Sequence, residues 1–174
     1  DDTTELSILD NTLNRAAAGS AKDLIDLQAE FTADVQARVN GNTLNNAGGS
    51  DGIKVRVFDG GTLTMEALNN AIDGPTEGFD FDVIDALSTA TTLNATVRNN
   101  TLSNIGAVAM DARNADSTSF TCLDLLGNSA VANYVIDNVA GGSFALVSGS
   151  QATVFDPASG VINSTPASCP APTF

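Results

Sequence analysis

Histidine and tryptophan are absent from this 174-residue chain, tyrosine occurs once, at Tyr134, and lysine twice, at Lys22 and Lys54. Without His the commonest general base is missing, and without Trp so is the best platform for stacking on a sugar ring. Cys122 and Cys169 are the only cysteines, and with no His they make no zinc site. Positive charge is scarce: 7 basic residues stand against 21 acidic ones, a formal net charge of −14. Such a surface repels nucleic acid and anionic membrane alike and leaves neutral or cationic partners. No apolar run reaches the ~18 residues of a membrane-spanning helix, so no membrane insertion is expected. The chain opens on Asp1-Asp2-Thr3-Thr4, which reads as a processed terminus or as the edge of a longer chain.

What the chain does have is a repeat. In Leu93-Asn-Ala-Thr-Val-Arg-Asn-Asn-Thr-Leu-Ser-Asn104, the residues Leu93, Ala95 and Val97 alternate with polar ones, the period of a half-buried strand, before Asn99-Asn100 turn the chain. The unit recurs at Leu6–Leu13, Val35–Leu44 and Leu63–Ile72, and more loosely at Thr121–Ala130. Its anchoring asparagines, Asn11, Asn42, Asn70, Asn100 and Asn128, are spaced by 31, 28, 30 and 28 residues, a period that signals a solenoid. At 43% hydrophobic residues the chain is long enough for one domain of about six coils with a core of Val, Leu, Ile and Ala.

Strand followed by Asn-Gly-Asn-Thr-Leu or Asn-Asn-Thr-Leu, once per turn, resembles the right-handed parallel β-helix proteins, which include pectate-lyase-like enzymes and secreted and surface proteins. The resemblance covers roughly residues 5–160. It implies an all-β solenoid in which coils stack about 4.8 Å apart, apolar side chains fill the interior and asparagines form a hydrogen-bonded ladder at one corner. Asn suits that corner because it tolerates the left-handed conformation and its amide both donates and accepts. The resemblance implies a fold and no particular activity.

Along the chain, Ile25, Leu27, Ala29 and Phe31, then Ala33, Val35, Ala37 and Val39, share one parity, with a bend near Thr32 dividing two strands. A helix is the competing reading for 21–39, rich in Ala, Gln and Leu, but alternation leaves no continuous helical stripe. Gly48–Gly52 reads as a turn and lacks the terminal Glu of a calcium loop. The last coil, around Phe144–Val154, has Ser150 in the approximate place of the asparagine. Counting back from the anchors puts Ile8, Val39, Met65, Val97 and Leu125 in one stacked column. Residues 1–160 are thus the solenoid, and 161–174, rich in Ser, Thr, Pro and Ala, an extended tail.

Cys122 falls at an outward position between Thr121 and Leu123, so a bridge to Cys169 would pin the tail along the outside of coil five; the alternative is two reduced thiols. Closing a loop of about 48 residues corresponds to roughly 4 kcal/mol of destabilisation of the unfolded chain. A disulfide would place the protein in an oxidising, extracytoplasmic setting.

A glycosidase would need two or three carboxylates converging on a groove, and the acids to test are Asp80, Asp82 and Asp85. Stacking by the repeat sets Asp26 and Gln28 on one side of Lys54 and Arg56, and Asp80 and Asp82 on the other, followed by Asp111 and Arg113. Near-alternating sign favours structural charge pairing, each pair contributing about 0.2–1 kcal/mol, over a catalytic cluster. No cofactor, metal ligand set or catalytic residue is assigned. Asn94, Asn99 and Asn163 head Asn-x-Ser/Thr sequons, the last of them in the tail. The expected function is a non-enzymatic, secreted structural protein, a subunit of a surface fibre, adhesin or extracellular matrix that associates head to tail as a homo-oligomer or polymer. The alternative is an enzyme or binding protein for cell-surface polysaccharide working through the acidic strand face.

Overall fold

The computed structural model describes residues 3–15, 22–46, 48–84, 89–115, 117–130, 133–138, 142–150, 154–155 and 166–174. Every element among them is a strand, and every pairing is parallel. Three sheets run the length of a parallel β-solenoid. Sheet A stacks β1 (Thr3–Leu9), β4 (Asp34–Asn40), β7 (Thr62–Leu68), β10 (Thr92–Arg98), β13 (Phe120–Asp124) and β16 (Ser143–Leu146). Sheet B stacks β2 (Thr12–Arg15), β5 (Thr43–Asn46), β8 (Ala71–Asp73), β11 (Thr101–Ser103) and β14 (Ser129–Ala130). Sheet C stacks β3 (Ile25–Glu30), β6 (Asp51–Phe58), β9 (Glu77–Ile84), β12 (Val108–Asn114), β15 (Asn133–Asn138) and β17 (Val154–Phe155). Five coils therefore place one strand in each sheet, and a sixth supplies β16 and β17. Among the described residues no helix is long and apolar enough to cross a membrane.

Alternation decides which side chains fill the tube. Ala37, Met65, Ala95 and Leu123 form one inner column, and Val39, Ala67 and Val97 the next, all fully buried. Ile8 pairs with Val39, so it heads the second column, in which Ala67 takes the place expected for Met65. The reason is the offset: Ile8, Val39, Ala67 and Val97 each stand three residues before their asparagine, whereas Met65 stands five before Asn70 and joins the neighbouring column. Phe79 and Phe81 stack 6.0 Å apart inside sheet C.

Each corner has the same chemistry. The residue before every ladder asparagine has positive φ: Asp10 (55°), Gly41 (69°), Asn69 (57°), Asn99 (57°) and Gly127 (73°). Aspartate, asparagine and glycine share these positions, the residue types that adopt the left-handed conformation most readily. Asn42 then donates its N–H to Asn70 Oδ1 (2.9 Å), Asn70 to Asn100 (2.8 Å) and Asn100 to Asn128 (2.9 Å), while Asn11 N–H reaches Asn42 (2.9 Å). Each side-chain amide from Asn42 onward also donates to a main-chain carbonyl of the coil before: Ile8, Val39, Ala67 and Val97 in turn. In the last coil Gly149 (φ 82°) precedes Ser150, whose hydroxyl accepts from Leu125 N–H at 3.0 Å.

Between β3 and β4 the chain turns at Phe31, whose φ of 56° ends the alternation. Phe31 is consequently 57% exposed, and Ala33 is exposed as well, so neither takes the inward place that their parity suggests. The C-terminal tail is bound by the Cys122–Cys169 disulfide on the outer face of sheet A. From there it runs back along the solenoid to coil two, where Thr173 N–H donates to Gln36 Oε1 at 2.8 Å and Arg38 lies 4.6 Å over the Phe174 ring.

Candidate functional site

Among the described residues, sheet C gathers a row of ionisable groups. Register places Lys54 between Asp26 and Asp80, and Arg56 between Gln28 and Asp82; Asp111 and Arg113 then follow Asp80 and Asp82. The Lys54 ammonium binds Asp80 and lies 3.5 Å from Asp51 and 3.7 Å from Asp82. Arg56 reaches back diagonally to Asp26, with Nε 3.3 Å from Oδ1. One cation therefore serves three carboxylates.

Around Lys54 the acids crowd more closely than strand register alone implies. Carboxylate oxygens of Asp51, Glu77 and Asp80 all lie within 4.8 Å of one another. Asp51 and Glu77 are direct register partners at the starts of β6 and β9, and each precedes a glycine. Those glycines are steric requirements: a Cβ at Gly52 would lie 2.7 Å from Gly78 O, and one at Gly78 2.5 Å from Ala109 O. Asp51 is 3% exposed, and its N–H takes the Asp23 carboxylate at 3.2 Å.

Burial among like charges raises these groups. Burial first, then the charges of Asp23 and Asp80, pushes Asp51 up to about 6. Glu77 rises to about 7 through burial and then through Asp80, Asp51 and Asp111. Asp80 and Asp111 are also raised, burial again leading; for Asp80 the hydrogen bond from Lys54 pulls the other way. Burial by itself would lower Lys54, but its hydrogen bond to Asp80 and the charges of Asp80, Asp51 and Asp82 together carry it above the ordinary lysine range.

Chemically, the cluster can share protons near neutrality. Asp51, Glu77 and Asp80 are also the groups able to hold a divalent cation, though three carboxylates supply only part of the six to eight oxygens calcium takes, and the Lys54 ammonium already neutralises them in part.

Of the acids singled out from sequence, Asp80 lies in the cluster and Asp82 beside it on Lys54, while Asp85 lies outside the described residues. Sequence reasoning missed Asp51 and Glu77. Their signal is acid-Gly-apolar, Asp51-Gly-Ile53 and Glu77-Gly-Phe79, at an interval of 26 residues; reading 48–52 only as a turn hid it. Elsewhere Arg98 holds buried Asp124 with Nε 2.8 Å from Oδ1, and Asn94, the first residue of a sequon, is buried with its amide 3.4 Å from Thr64 Oγ1. The five ladder asparagines all serve the corner. No family model, curated protein or solved structure matches the chain, which leaves the stacked coils of a parallel β-solenoid as its class.

Proposed function

We propose that this chain is a secreted structural protein, a β-solenoid subunit of a surface fibre, adhesin stalk or extracellular matrix whose copies join end to end. The observation that carries the reading is the first coil. Among the described residues β1 stands at one edge of sheet A and β16 at the other, and Leu6, which heads an inner column, is 36% exposed. Such edges are templates for pairing with another chain. The register is continuous through the sheet, so β16 continued onto β1 of a second copy would set Leu6 after Leu146 in the column Ala37–Met65–Ala95–Leu123–Leu146. The tail supports the reading because its described residues lie along the side of the solenoid, with Thr173 on Gln36, and not across β1. A head-to-tail contact of this kind does not close and therefore builds a filament. The disulfide suits an extracellular or cell-surface setting.

Light scattering against concentration, with electron microscopy of the same samples, tests this. Filaments are expected for the parent chain, with Leu6→Lys reverting it to monomers. A chain that stays monomeric at high concentration, with slow amide exchange over residues 6–12, sinks the proposal. The Asp51–Glu77–Asp80 cluster favours a second reading, a polysaccharide-binding or polysaccharide-cleaving protein. Assay against acidic and neutral polysaccharides, with and without calcium, decides it: turnover lost in Asp80→Asn and Asp82→Asn would replace the structural reading.

A further inference from the structure

The outer face of sheet A is a built peptide site at both ends. At one end Cys169 sits with Cys122, Ala145, Val147 and the edge of Leu126 in a small apolar cluster separate from the main core. Ser148 N–H donates to Pro166 O beside it, at 3.2 Å. At the other end Gln36 Oε1 accepts from Thr173 N–H (2.8 Å) and Oγ1 (3.1 Å), and Arg38 donates to Pro172 O (3.5 Å) while covering Phe174. Gln36, Thr64, Asn94 and Cys122 form one outward column across β4, β7, β10 and β13. The tail must cross β10 and β7 to join its two anchorages, and outward-facing Asn94 is accordingly only 7% exposed.

Resting on the end-to-end reading for its choice of partner, the geometry points to a docking lane for an extended C-terminal segment: the tail of one copy closes onto sheet A of a second copy and links the two covalently. Each of these contacts joins residues 166–174 to the lane, and none requires the two to belong to one chain. Ten residues, 156–165, connect β17 to the tail. At up to ~3.3 Å each they span about 33 Å; in a copy stacked on the end, Cys122 in its fifth coil lies five coils along, about 24 Å at ~4.8 Å per coil, which is within that reach. Exchange of one element between identical chains is a low-cost route to assembly. The bond-forming step needs a small-molecule disulfide such as oxidised glutathione. A thiolate of one chain attacks it and releases one glutathione as thiol; the thiolate of the other chain then displaces the second, leaving the interchain Cys122–Cys169 bond and two reduced glutathiones.

Complementary variants isolate exchange between chains. Cys122→Ser keeps the tail thiol and Cys169→Ser keeps the lane thiol, so mixed in a glutathione redox buffer they can bridge only to each other or to their own kind. A covalent heterodimer is expected on a non-reducing gel, with a yield falling by about tenfold when the lane partner also carries Gln36→Ala and Arg38→Ala, because docking supplies the effective concentration. A heterodimer that fails to form, or forms equally with the altered lane, overturns the proposal and leaves the tail as a staple within one chain. Circular dichroism checks that each variant is folded. As a second arm, a synthetic peptide of residues 166–174 incubated with the parent protein in the same buffer should displace the tail and give a mass adduct at Cys122; absence of the adduct counts against the lane. Working at concentrations where light scattering reports only monomers separates this outcome from filament formation. Heterodimers without filaments uphold the lane and sink end-to-end stacking, and filaments without heterodimers do the reverse.

Discussion

Replacing Asn70 by Ala tests the corner ladder at its centre. Asn70 is 1% exposed, and its side chain makes four hydrogen bonds. Its Oδ1 accepts from Asn42 N–H at 2.9 Å and from Asn42 Nδ2 at 3.0 Å; its Nδ2 donates to Val39 O at 2.7 Å and to Asn100 Oδ1 at 2.9 Å. Alanine removes all four and leaves the Asn42 N–H and Val39 C=O facing a space that cannot pair them. Each buried group left unsatisfied costs about 1–3 kcal/mol, so the substitution should cost about 4 kcal/mol in all, a large share of the ~5–15 kcal/mol that holds a typical domain. Asn11 supplies the control. It stands at the open end of the ladder, is exposed, and has fewer bonds to lose, one of them to Leu9 O of its own corner. Asn11→Ala should therefore cost about 1 kcal/mol or less, in line with exposed hydrogen bonds. Urea unfolding of both variants, with the slope checked for constancy, measures the difference. If Asn70→Ala loses no more stability than Asn11→Ala, the ladder is not a buried cooperative element and the reasoning fails.

Three further outcomes are expected. Val97→Asp puts a carboxylate at a fully buried position among apolar side chains and should unfold the domain, which loss of the strand signal in circular dichroism would register; a variant that melts with the parent refutes the inner column. The raised folded values of Asp51 (about 6) and Glu77 (about 7), against ordinary values of 3.8 and 4.5, mean that the folded chain binds protons more tightly than the unfolded one, so stability falls as pH rises from about 4 to about 7. Melting temperature measured across that window should drop toward neutrality, and Asp51→Asn with Glu77→Gln should flatten the curve; an unchanged slope refutes the linkage. Lys54→Met removes the cation shared by Asp51, Asp80 and Asp82 and should destabilise by about 3 kcal/mol at pH 8, and by less at pH 5, below the raised values of Asp51 (about 6) and Glu77 (about 7), where both take up protons; an equal loss at both would deny the coupling.

The one-dimensional nature of the fold explains why so much of it was legible. A solenoid repeats its local pattern, so alternation in Leu93–Val97 and an asparagine at each corner state both the strand and its stacking partner: the residue one period away. The same logic placed Lys54 beside Asp80 without any knowledge of the third dimension. Its errors came where period and parity part company. Phe31 follows the inward parity of β3, yet a left-handed corner turns it out to solvent, and Met65 lies at the wrong offset to stand behind Val39.

Sequence by itself determined the period, the alternation and the corner chemistry, because each is fixed by residues within one coil and its copies. Only the tertiary structure decided the rest. Asp51 and Glu77 enter the carboxylate cluster because parallel register sets them side by side at the starts of β6 and β9, next to glycines 52 and 78 whose close neighbours, Ile72, Leu102 and the carbonyls of Gly78 and Ala109, come from other strands. The tail is likewise outside the repeat: its course from Cys122 to Gln36 and Arg38 crosses the coils, so Cys122 lies 47 residues from its partner and Gln36 and Arg38 lie 137 and 134 from theirs, intervals no periodicity encodes.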